Sequence, residues 1–383
     1  MKKKYLFVTS SRADYSPSKN LIKLLKKKIR NFKLLVTGSH LNKKFGSSIN
    51  EILSDGIKPD YRINVLSNNN INNVNKISEE TFKKFNNFLQ KKYKPDILIV
   101  LGDRFEMLPI VYSAFLKKIQ VVHINGGEIT SGSIDDSIRH SITKLSNYHV
   151  VSTKKNKNRL ISLGEDPKTI MNFGYLGLEN IKKLKLFSRN ELIQKLKINF
   201  NQKNLIFVFH PETFESKKKN LKSVKIILRT LKSIKNLNLF ITASNFDIGG
   251  FEINNLLQTE AKKNKNFYFF KSLGKEYFFS LLKISDGIIG NSSSGIIEVP
   301  SFKKATINLG IRQEGRSNNK TIINSQISKK QILSAINKIY SKKYKTILKT
   351  SKNEYEQTNT SRKIFKFLTK INYKGSNQKI FYE

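Results

Sequence analysis

The sequence contains no cysteine among its 383 residues. It therefore forms no disulfide, supplies no thiolate nucleophile and builds no cysteine-ligated metal site. It also lacks a run of 18 apolar residues, which excludes a transmembrane helix of the usual kind. The basic N-terminal residues precede an apolar stretch too short for a signal peptide, so we expect a cytoplasmic protein without a membrane partner.

Acidic residues are scarce, with 28 Asp and Glu against 71 Lys and Arg, and the formal net charge is +43. Such a charge first suggests a nucleic-acid or membrane partner. However, the basic residues are 60 Lys and only 11 Arg, and the Lys residues are spread along the whole chain. Because no known nucleic-acid module is present, we interpret the charge as a solvated surface and predict no nucleic-acid partner. A hydrophobic content of 38% excludes gross disorder.

The scarcity of arginine directs attention to the few that are present. Five of the 11 lie in compact polar clusters, namely Arg12, Arg104, Arg139, Arg312 and Arg316. These clusters are where we expect chemistry.

Short apolar runs alternate with helical patterns, which predicts βαβ units and a doubly wound parallel sheet. The predicted strands of the first half are Tyr5–Thr9, Leu34–Thr37, Arg62–Leu66, Ile97–Leu101, Val121–Ile124, Tyr148–Ser152 and Thr169–Phe173. Those of the second half are Leu205–Phe209, Leu239–Thr242, Phe267–Phe270, Gly287–Gly290 and Thr306–Leu309. The sequence thus predicts two Rossmann-like α/β domains, residues 1–178 and 179–383, that face a cleft. A last helix, predicted at Asn353–Leu368, can pack back on the N-terminal domain.

Ligands of open α/β sheets bind beyond the carboxyl ends of the strands, and polar clusters follow several predicted strands. After the first strand, Ser10 and Ser11 lead into a helix and can offer backbone N–H groups to an anion, with Arg12 and Lys19 adding charge. The alternative is an ordinary helix cap by Ser10 or Ser11 with Arg12 at the surface.

Carboxylates follow two further strands of the first half. Asp103 follows the fourth strand, and Glu128, Asp135 and Asp136 follow the fifth. Neighbouring carboxylates can serve as one acid and one base, and Asp135 is spaced to pair with Arg139. A metal site of His123, Glu128, Asp135 and His140 is the competing interpretation, although its spacing matches no ligand motif. We therefore predict no metal.

The second half carries a pattern suited to a nucleotide diphosphate. His210 follows the strand at Leu205–Phe209, either as a functional or as a structural histidine. Ser292, Ser293 and Ser294 precede a helix and can hold phosphate, while Glu298 can accept ribose hydroxyls. Arg312 and Arg316 follow the next strand and can face the same phosphates.

Two nucleotide motifs are missing. There is no Walker-type Gly-Lys-Ser/Thr, which argues against ATP hydrolysis, and no Gly-x-Gly-x-x-Gly after the first strand, which argues against a dinucleotide cofactor. We predict no cofactor. A sugar nucleotide fits the two clusters best.

At these residues the sequence resembles the hydrolysing UDP-N-acetylglucosamine 2-epimerases of bacterial sialic-acid synthesis. The resemblance extends from the N-terminus to about residue 316 and depends on the motifs GDRFE, HINGGE, RHSITKLS, GYLGLEN, FHPET, GNSSSGIIEVPS and RQxGR. It implies a glycosyltransferase-B-like fold. A sister family acts on UDP-N,N'-diacetylbacillosamine with nearly the same motifs, and GYLGLEN together with VFHPET favours the N-acetylglucosamine enzyme.

The resemblance implies anti elimination of UDP to give 2-acetamidoglucal, followed by addition of water to release N-acetylmannosamine. It makes Asp103, Glu128 and Asp135 or Asp136 the acid and base candidates, with His210 and Arg12 stabilising the departing diphosphate. Ser292–Ser294 would bind phosphate, Glu298 ribose, and Arg312 and Arg316 the same nucleotide. We also expect a homo-oligomer, either a dimer or a tetramer. The alternatives are a non-hydrolysing epimerase, a glycosyltransferase and a basic nucleic-acid-binding protein.

Overall fold

The structure is a computed structural model that describes residues 3–42, 48–67, 73–131, 133–212, 214–245, 249–316, 319–371 and 379–383. The chain forms two compact units. The first unit takes Met1–Glu128, Asp135–Lys182 and Tyr355–Glu383, and the second takes Ile129–Ile134 and Lys183–Glu354. The chain passes from the first unit into the long segment of the second unit after Lys182, whereas the sequence predicts a boundary after residue 178.

The described strands of the first unit are β1 Tyr5–Thr9, β2 Phe32–Thr37, β3 Tyr61–Ile63, β4 Ile97–Leu101, β5 Gln120–Ile124, β6 Tyr148–Val151 and β7 Ile170–Asn172. They form a parallel sheet in the order β3-β2-β1-β4-β5-β6-β7. Its central strands are continuous apolar runs because both faces are covered, as in other parallel sheets. Tyr5 and Phe7 pack into one apolar core, and Leu6 and Val8 into another.

The described α-helices of this unit are α1 Arg12–Lys28, α2 Ile49–Ser54, α3 Val74–Lys91, α4 Met107–Leu116, α5 Asp135–Leu145, α6 Lys154–Ser162, α7 Leu176–Ile181 and α15 Thr360–Lys370. Helix α15 supplies Ile364 and Leu368 to the same core as Tyr5 and Phe7. The C-terminal helix therefore completes the hydrophobic core of the first unit.

The second unit repeats the architecture. Its described strands are β8 Lys203–Val208, β9 Leu237–Thr242, β10 Phe267–Phe270, β11 Gly287–Gly290, β12 Ala305–Leu309 and β13 Ile322–Ser325. They are parallel, in the order β10-β9-β8-β11-β12-β13. The helices are α8 Arg189–Leu196, α9 Lys217–Lys232, α10 Gly250–Lys262, α11 Gly274–Ile284, α12 Ser293–Ile297, α13 Lys329–Tyr340 and α14 Lys342–Thr350.

The predicted fold class is confirmed, because each unit is a Rossmann-like α/β domain with a parallel sheet. Every predicted strand overlaps an observed one, and β13 is an additional, half-buried edge strand beside β12. The helix predicted at Asn353–Leu368 is wrong in its first part. It begins at Thr360, and the preceding residue Asn359 has a left-handed backbone with φ of 57°.

No described helix combines the length and the apolar character that crossing a bilayer requires.

Candidate active site

Three carboxylates of the first unit lie beyond the carboxyl ends of adjacent strands. Strand β4 pairs with β5 in parallel. Asp103 follows β4 and the Gly126-Gly127-Glu128 turn follows β5, so both begin at the same edge of the sheet on neighbouring strands. Asp136 belongs to the first turn of α5, which follows the same turn. The topology therefore brings these groups to one edge of the sheet, as the sequence predicts.

Arg139 of α5 bonds two of these carboxylates and the backbone of the third residue. Its side chain is only 2% exposed. Its Nε lies 2.8 Å from Asp103 Oδ2, and its Nη1 lies 3.0 Å from Asp136 Oδ1 and 2.8 Å from the Glu128 carbonyl oxygen. Burial alone would lower the pKa of the guanidinium, but the charges of Asp103, Glu128 and Asp136 outweigh it and raise that pKa. The predicted pairing of Asp135 with Arg139 stays a prediction.

Glu128 is buried and both of its carboxylate oxygens accept hydrogen bonds. Asn156 of α6 donates from Nδ2 to Oε1 over 2.5 Å, and the Tyr355 hydroxyl donates to Oε2 over 3.2 Å. The preceding Gly127 has φ of 78°, and a Cβ there would lie 2.5 Å from Leu160 Cδ1. Glycine is thus required at this turn, which fixes the direction in which Glu128 leaves the strand.

His123 is a structural residue. Its Nδ1 lies 3.1 Å from the Thr143 hydroxyl, its Nε2 lies 2.8 Å from the Gly102 carbonyl oxygen, and burial lowers its pKa to about 3. Both ring nitrogens are therefore engaged by the protein. Among the residues that the structure describes, no group of three or more His, Asp or Glu side chains is arranged to hold a metal ion.

The residues that follow β1 form a helix cap, which is the alternative that the sequence allows. Ser11 is the N-cap of α1, and the Asp14 carboxylate accepts from the backbone N–H groups of Ser10 and Ser11 over 3.0–3.2 Å. These N–H groups are thus bonded to the chain's own carboxylate, contrary to the predicted role as anion donors. Arg12 pairs with Glu51 over 2.8 Å, and Lys19 pairs with Asp55.

In the second unit, Asn291 holds the backbone of His210. The side chain of Asn291 accepts from the His210 N–H over 2.7 Å and donates to the His210 carbonyl over 2.8 Å. The N–H of Asn245 donates to His210 Nδ1 over 3.1 Å. Burial, together with the charge of Arg312, lowers the pKa of His210 to about 3. The ring is therefore neutral near pH 7 and carries its proton on Nε2.

The serines lie at the start of the short helix α12, and Glu298 is its C-cap. Ser292 is the N-cap of α12 and accepts from the Ser294 N–H over 3.3 Å, so its hydroxyl serves the helix start. Ser293 and Ser294 are half-buried in the first turn. Burial raises the pKa of Glu298 to about 7, against the opposing effects of Ser294 and Arg316.

The loop after β12 carries the two arginines. Arg312 donates from Nη1 to the Asn291 carbonyl over 3.3 Å, and Gln313 donates to the same carbonyl over 2.9 Å. Arg316 donates to the carbonyl of Ile129 over 3.1 Å and to the Thr130 hydroxyl over 3.0 Å. Arg312 thus lies beside Asn291 and the serines, whereas Arg316 bonds Ile129 and Thr130.

Glu212 of the FHPET motif supports the same loop, since it accepts from the Ile311 N–H over 3.2 Å. Thr213, the last residue of that motif, lies outside the described residues.

A family model described as UDP-N-acetylglucosamine 2-epimerase matches residues 23–369. The chain belongs to this family. It is 36% identical over 347 residues to a hydrolysing GDP/UDP-N,N'-diacetylbacillosamine 2-epimerase of Campylobacter jejuni, which covers 90% of this chain and 89% of that relative. It is also 35% identical over 388 residues to the polysialic acid biosynthesis protein P7 of Escherichia coli, covering 100% of this chain and 97% of that relative.

A solved structure supports the fold. The crystal structure of a UDP-GlcNAc 2-epimerase from Neisseria meningitidis bound to UDP-GlcNAc superposes with a TM-score of 0.82 at 21% identity. The match covers 96% of this chain and 100% of that one. The family membership expected from the sequence motifs is therefore confirmed, together with the fold.

Three residues that the structure places around the candidate sites are absent from the sequence-based candidates. They are Asn156, Asn291 and Tyr355. The scarcity of arginine draws attention to Arg139, but the sequence predicts no role for it beyond a pair with Asp135 on the same helix. Asn291 stands directly before the serines, whereas no local pattern marks Asn156 or Tyr355.

Proposed function

We propose that the protein is a hydrolysing UDP-N-acetylglucosamine 2-epimerase that converts UDP-GlcNAc and water to N-acetylmannosamine and UDP, for sialic-acid synthesis. The observation that carries the proposal is the group of carboxylates around Arg139 in a chain of this family. Support for hydrolysis and for sialic acid comes from the names of the relatives at 36% and 35% identity.

The first half-reaction is an elimination. A carboxylate removes the proton from C2, the electrons of the C2–H bond form the C1–C2 double bond, and the C1–O bond to UDP breaks. Asp103, Glu128 and Asp135 or Asp136 are the candidates for this base, since a positioned carboxylate is suited to proton transfer. The products of this step are 2-acetamidoglucal and UDP, with the proton on the carboxylate.

UDP needs stabilisation as it departs, and His210 and Arg12 are assigned to it. Because the imidazole of His210 is neutral with its proton on Nε2, it serves as a hydrogen-bond donor to a phosphate oxygen. Arg12 supplies the cation. Ser292–Ser294, Arg312, Arg316 and Lys19 are assigned to the diphosphate, and Glu298 to the ribose.

The second half-reaction is a hydration. Water adds its oxygen to C1, and C2 takes a proton from the face opposite to the one that lost it. Two carboxylates are therefore needed, one on each face of the sugar: one takes the proton from C2 in the elimination, and the other gives a proton to C2 in the hydration. The water keeps one proton in the new C1 hydroxyl and releases its other proton to solvent. The overall reaction consumes one water and inverts C2.

A second candidate is a hydrolysing 2-epimerase of UDP-N,N'-diacetylbacillosamine. It is favoured by the names of two relatives, at 36% identity in Campylobacter jejuni and 33% in Legionella pneumophila. The two substrates differ only at C4 and C6, so both candidates use the same elimination and hydration.

The test is to incubate the protein with each UDP-sugar in turn and to identify the products by mass spectrometry. We expect free UDP and N-acetylmannosamine from UDP-GlcNAc. Turnover of the diacetylbacillosamine substrate alone would favour the second candidate, and UDP-ManNAc without free UDP would indicate a non-hydrolysing enzyme. Release of UDP from neither substrate would overturn the proposal.

A further inference from the structure

Tyr355 belongs to the C-terminal segment of the first unit, and its hydroxyl contacts Glu128. It lies 227 residues away along the chain, its side chain is 2% exposed, and its hydroxyl is 3.2 Å from Glu128 Oε2. The residue lies in the non-helical stretch 351–359 between α14 and α15, and residues 355–359 lead from it into α15. An inward-facing, fully buried hydroxyl on such a stretch needs a reason beyond packing, because burying it costs free energy unless it is bonded.

The motif GYLGLEN, residues 174–180, holds this stretch in place. The Tyr175 N–H donates to the Tyr355 carbonyl over 2.8 Å. Gly174 has φ of 81°, and a Cβ there would lie 2.9 Å from that same carbonyl oxygen. Glycine at 174 therefore permits a backbone contact that fixes the position of Tyr355.

Further bonds fix the rest of the stretch. The Thr360 hydroxyl donates to the Phe173 carbonyl over 2.8 Å, and the Ser361 N–H donates to Glu179 Oε2 over 2.9 Å. Glu179 thus binds the first turn of α15, where a carboxylate also interacts favourably with the helix dipole. The motif therefore bonds Tyr355 at one end of the stretch and the first turn of α15 directly after its other end.

We propose that Tyr355 is a positioning residue for Glu128 in the epimerase reaction, and that the 174–180 motif exists to present it. This inference rests on the proposed function. Asn156 and Tyr355 each donate to one oxygen of Glu128, so together they set the plane of the carboxylate. A hydroxyl can rotate to accept a hydrogen bond from a protonated carboxyl group, so the contact with Tyr355 serves Glu128 in both states of an acid and base cycle.

Charged groups that act on Glu128 include Arg139 on α5 and Arg159 on α6, and Arg139 in turn bonds Asp103 and Asp136. A Tyr355→Phe substitution leaves all of them in place. It removes one neutral hydrogen-bond donor and keeps the ring. The contribution of the hydroxyl to Glu128 can therefore be measured while the charged groups stay the same.

The experiment compares Tyr355→Phe with wild type in steady-state kinetics from pH 5 to pH 9. We expect kcat to fall by about 10–100-fold, as for other supporting groups of a reactive residue, with KM within about twofold of wild type. A carboxylate that loses a donor holds its proton more tightly, so one limb of the pH profile moves to higher pH. Movement of the acidic limb identifies Glu128 as a base in the limiting step, and movement of the alkaline limb identifies it as an acid.

The matched control is Tyr340→Phe in the second unit. The Tyr340 hydroxyl also donates to a carboxylate, Asp286, over 2.9 Å, outside either candidate site. We expect this control to keep the wild-type kcat and pH profile.

A second variant, Gly174→Ala, tests the motif. It should lower kcat in the wild-type background and have little further effect in the Tyr355→Phe background, since both act through one hydroxyl. Wild-type kcat and an unmoved pH profile in Tyr355→Phe would overturn the inference. A wild-type protein that releases no UDP from either UDP-sugar would instead refute the proposed function.

Discussion

In the first unit Asp103 and Asp136 are held by charged pairs with Arg139, whereas in the second unit His210 is held by neutral hydrogen bonds between Asn291 and its backbone. Arg139 joins Asp103 and Asp136 in one network. Asn291 instead holds His210 and the Arg312 loop through amide and carbonyl groups. Buried charged pairs couple their members strongly, and neutral bonds couple them weakly.

This difference matches the two roles proposed. Groups that exchange protons benefit from fixed charges nearby, because those charges decide which protonation state is favoured. Groups that only bind a diphosphate need a stable backbone and available donors. We therefore expect substitutions of the carboxylates bonded to Arg139 to change turnover and stability together, and loss of the Asn291 bonds to change mainly the affinity for nucleotide.

The largest effect is expected from Glu128→Gln. The amide keeps the size of the side chain but cannot exchange a proton, so kcat should fall by about 10²–10⁴-fold. Because the direct donors to the Glu128 side chain include the neutral Asn156 and Tyr355, the melting temperature should change little. Kinetics of UDP release and thermal unfolding of the same preparations measure both quantities.

Asp103→Asn is the comparison variant within the network. It should lose turnover to a similar extent and also lose about 1.5–3 kcal/mol of unfolding free energy, because a charge-assisted bond to buried Arg139 is weakened. Equal stability of the two variants would contradict the charged network described for the first unit.

The positions of many candidate site residues could be predicted from the sequence, but their contacts with distant residues could not. Asp103, Glu128 and the serines directly follow apolar strands, and the position of a strand end is a local signal. Asn156 and Tyr355 contact Glu128 from 28 and 227 residues away, so no local pattern reveals them. The same holds for the helix predicted at Asn353, where tertiary contacts of Tyr355 and Gln357 override the local preference.

Asn291→Ala is expected to have the next largest effect. Loss of both bonds to the His210 backbone should loosen the loop and raise KM for the UDP-sugar about tenfold, with a smaller change in kcat. The control is Asn308→Ala on β12, another buried asparagine of this unit, which bonds Asn324 over 2.8 Å. It should reduce stability without raising KM. A similar rise of KM in both variants would mean that general loosening, not the position of His210, is responsible.

Glu298→Gln should have a smaller effect that depends on pH. The pKa of Glu298 is raised from 4.5 to about 7, chiefly by burial, so the folded state favours the protonated form. The stability contributed by this group is therefore complete below about pH 4.5 and is lost as the pH rises through 7. Glutamine does not titrate, so at pH 8 the variant should melt about 2–4 °C above wild type, with the difference disappearing near pH 4.5.

Glu260→Gln on α10 is the matched control, since Glu260 is a half-buried carboxylate paired with Lys263 outside the candidate site. Its melting temperature at pH 8 should stay close to that of wild type, because a partly exposed ion pair contributes only about 0–1 kcal/mol to folding. An equally small difference in Glu298→Gln would argue against a buried, proton-holding Glu298 in the second unit.

The smallest change in stability is expected from Arg12→Ala. Arg12 is 61% exposed and pairs with Glu51, and an exposed ion pair contributes only about 0–1 kcal/mol to folding. Its proposed contact with the departing diphosphate should nevertheless raise KM or lower kcat severalfold. Glu51→Gln separates the two roles, because it removes the same ion pair and keeps the cation. If Arg12 acts on the diphosphate, only Arg12→Ala impairs turnover, and added salt weakens the difference by screening the charge. If the two variants behave alike, Arg12 serves the folded state of the first unit alone, and the charges that act on UDP belong to other residues.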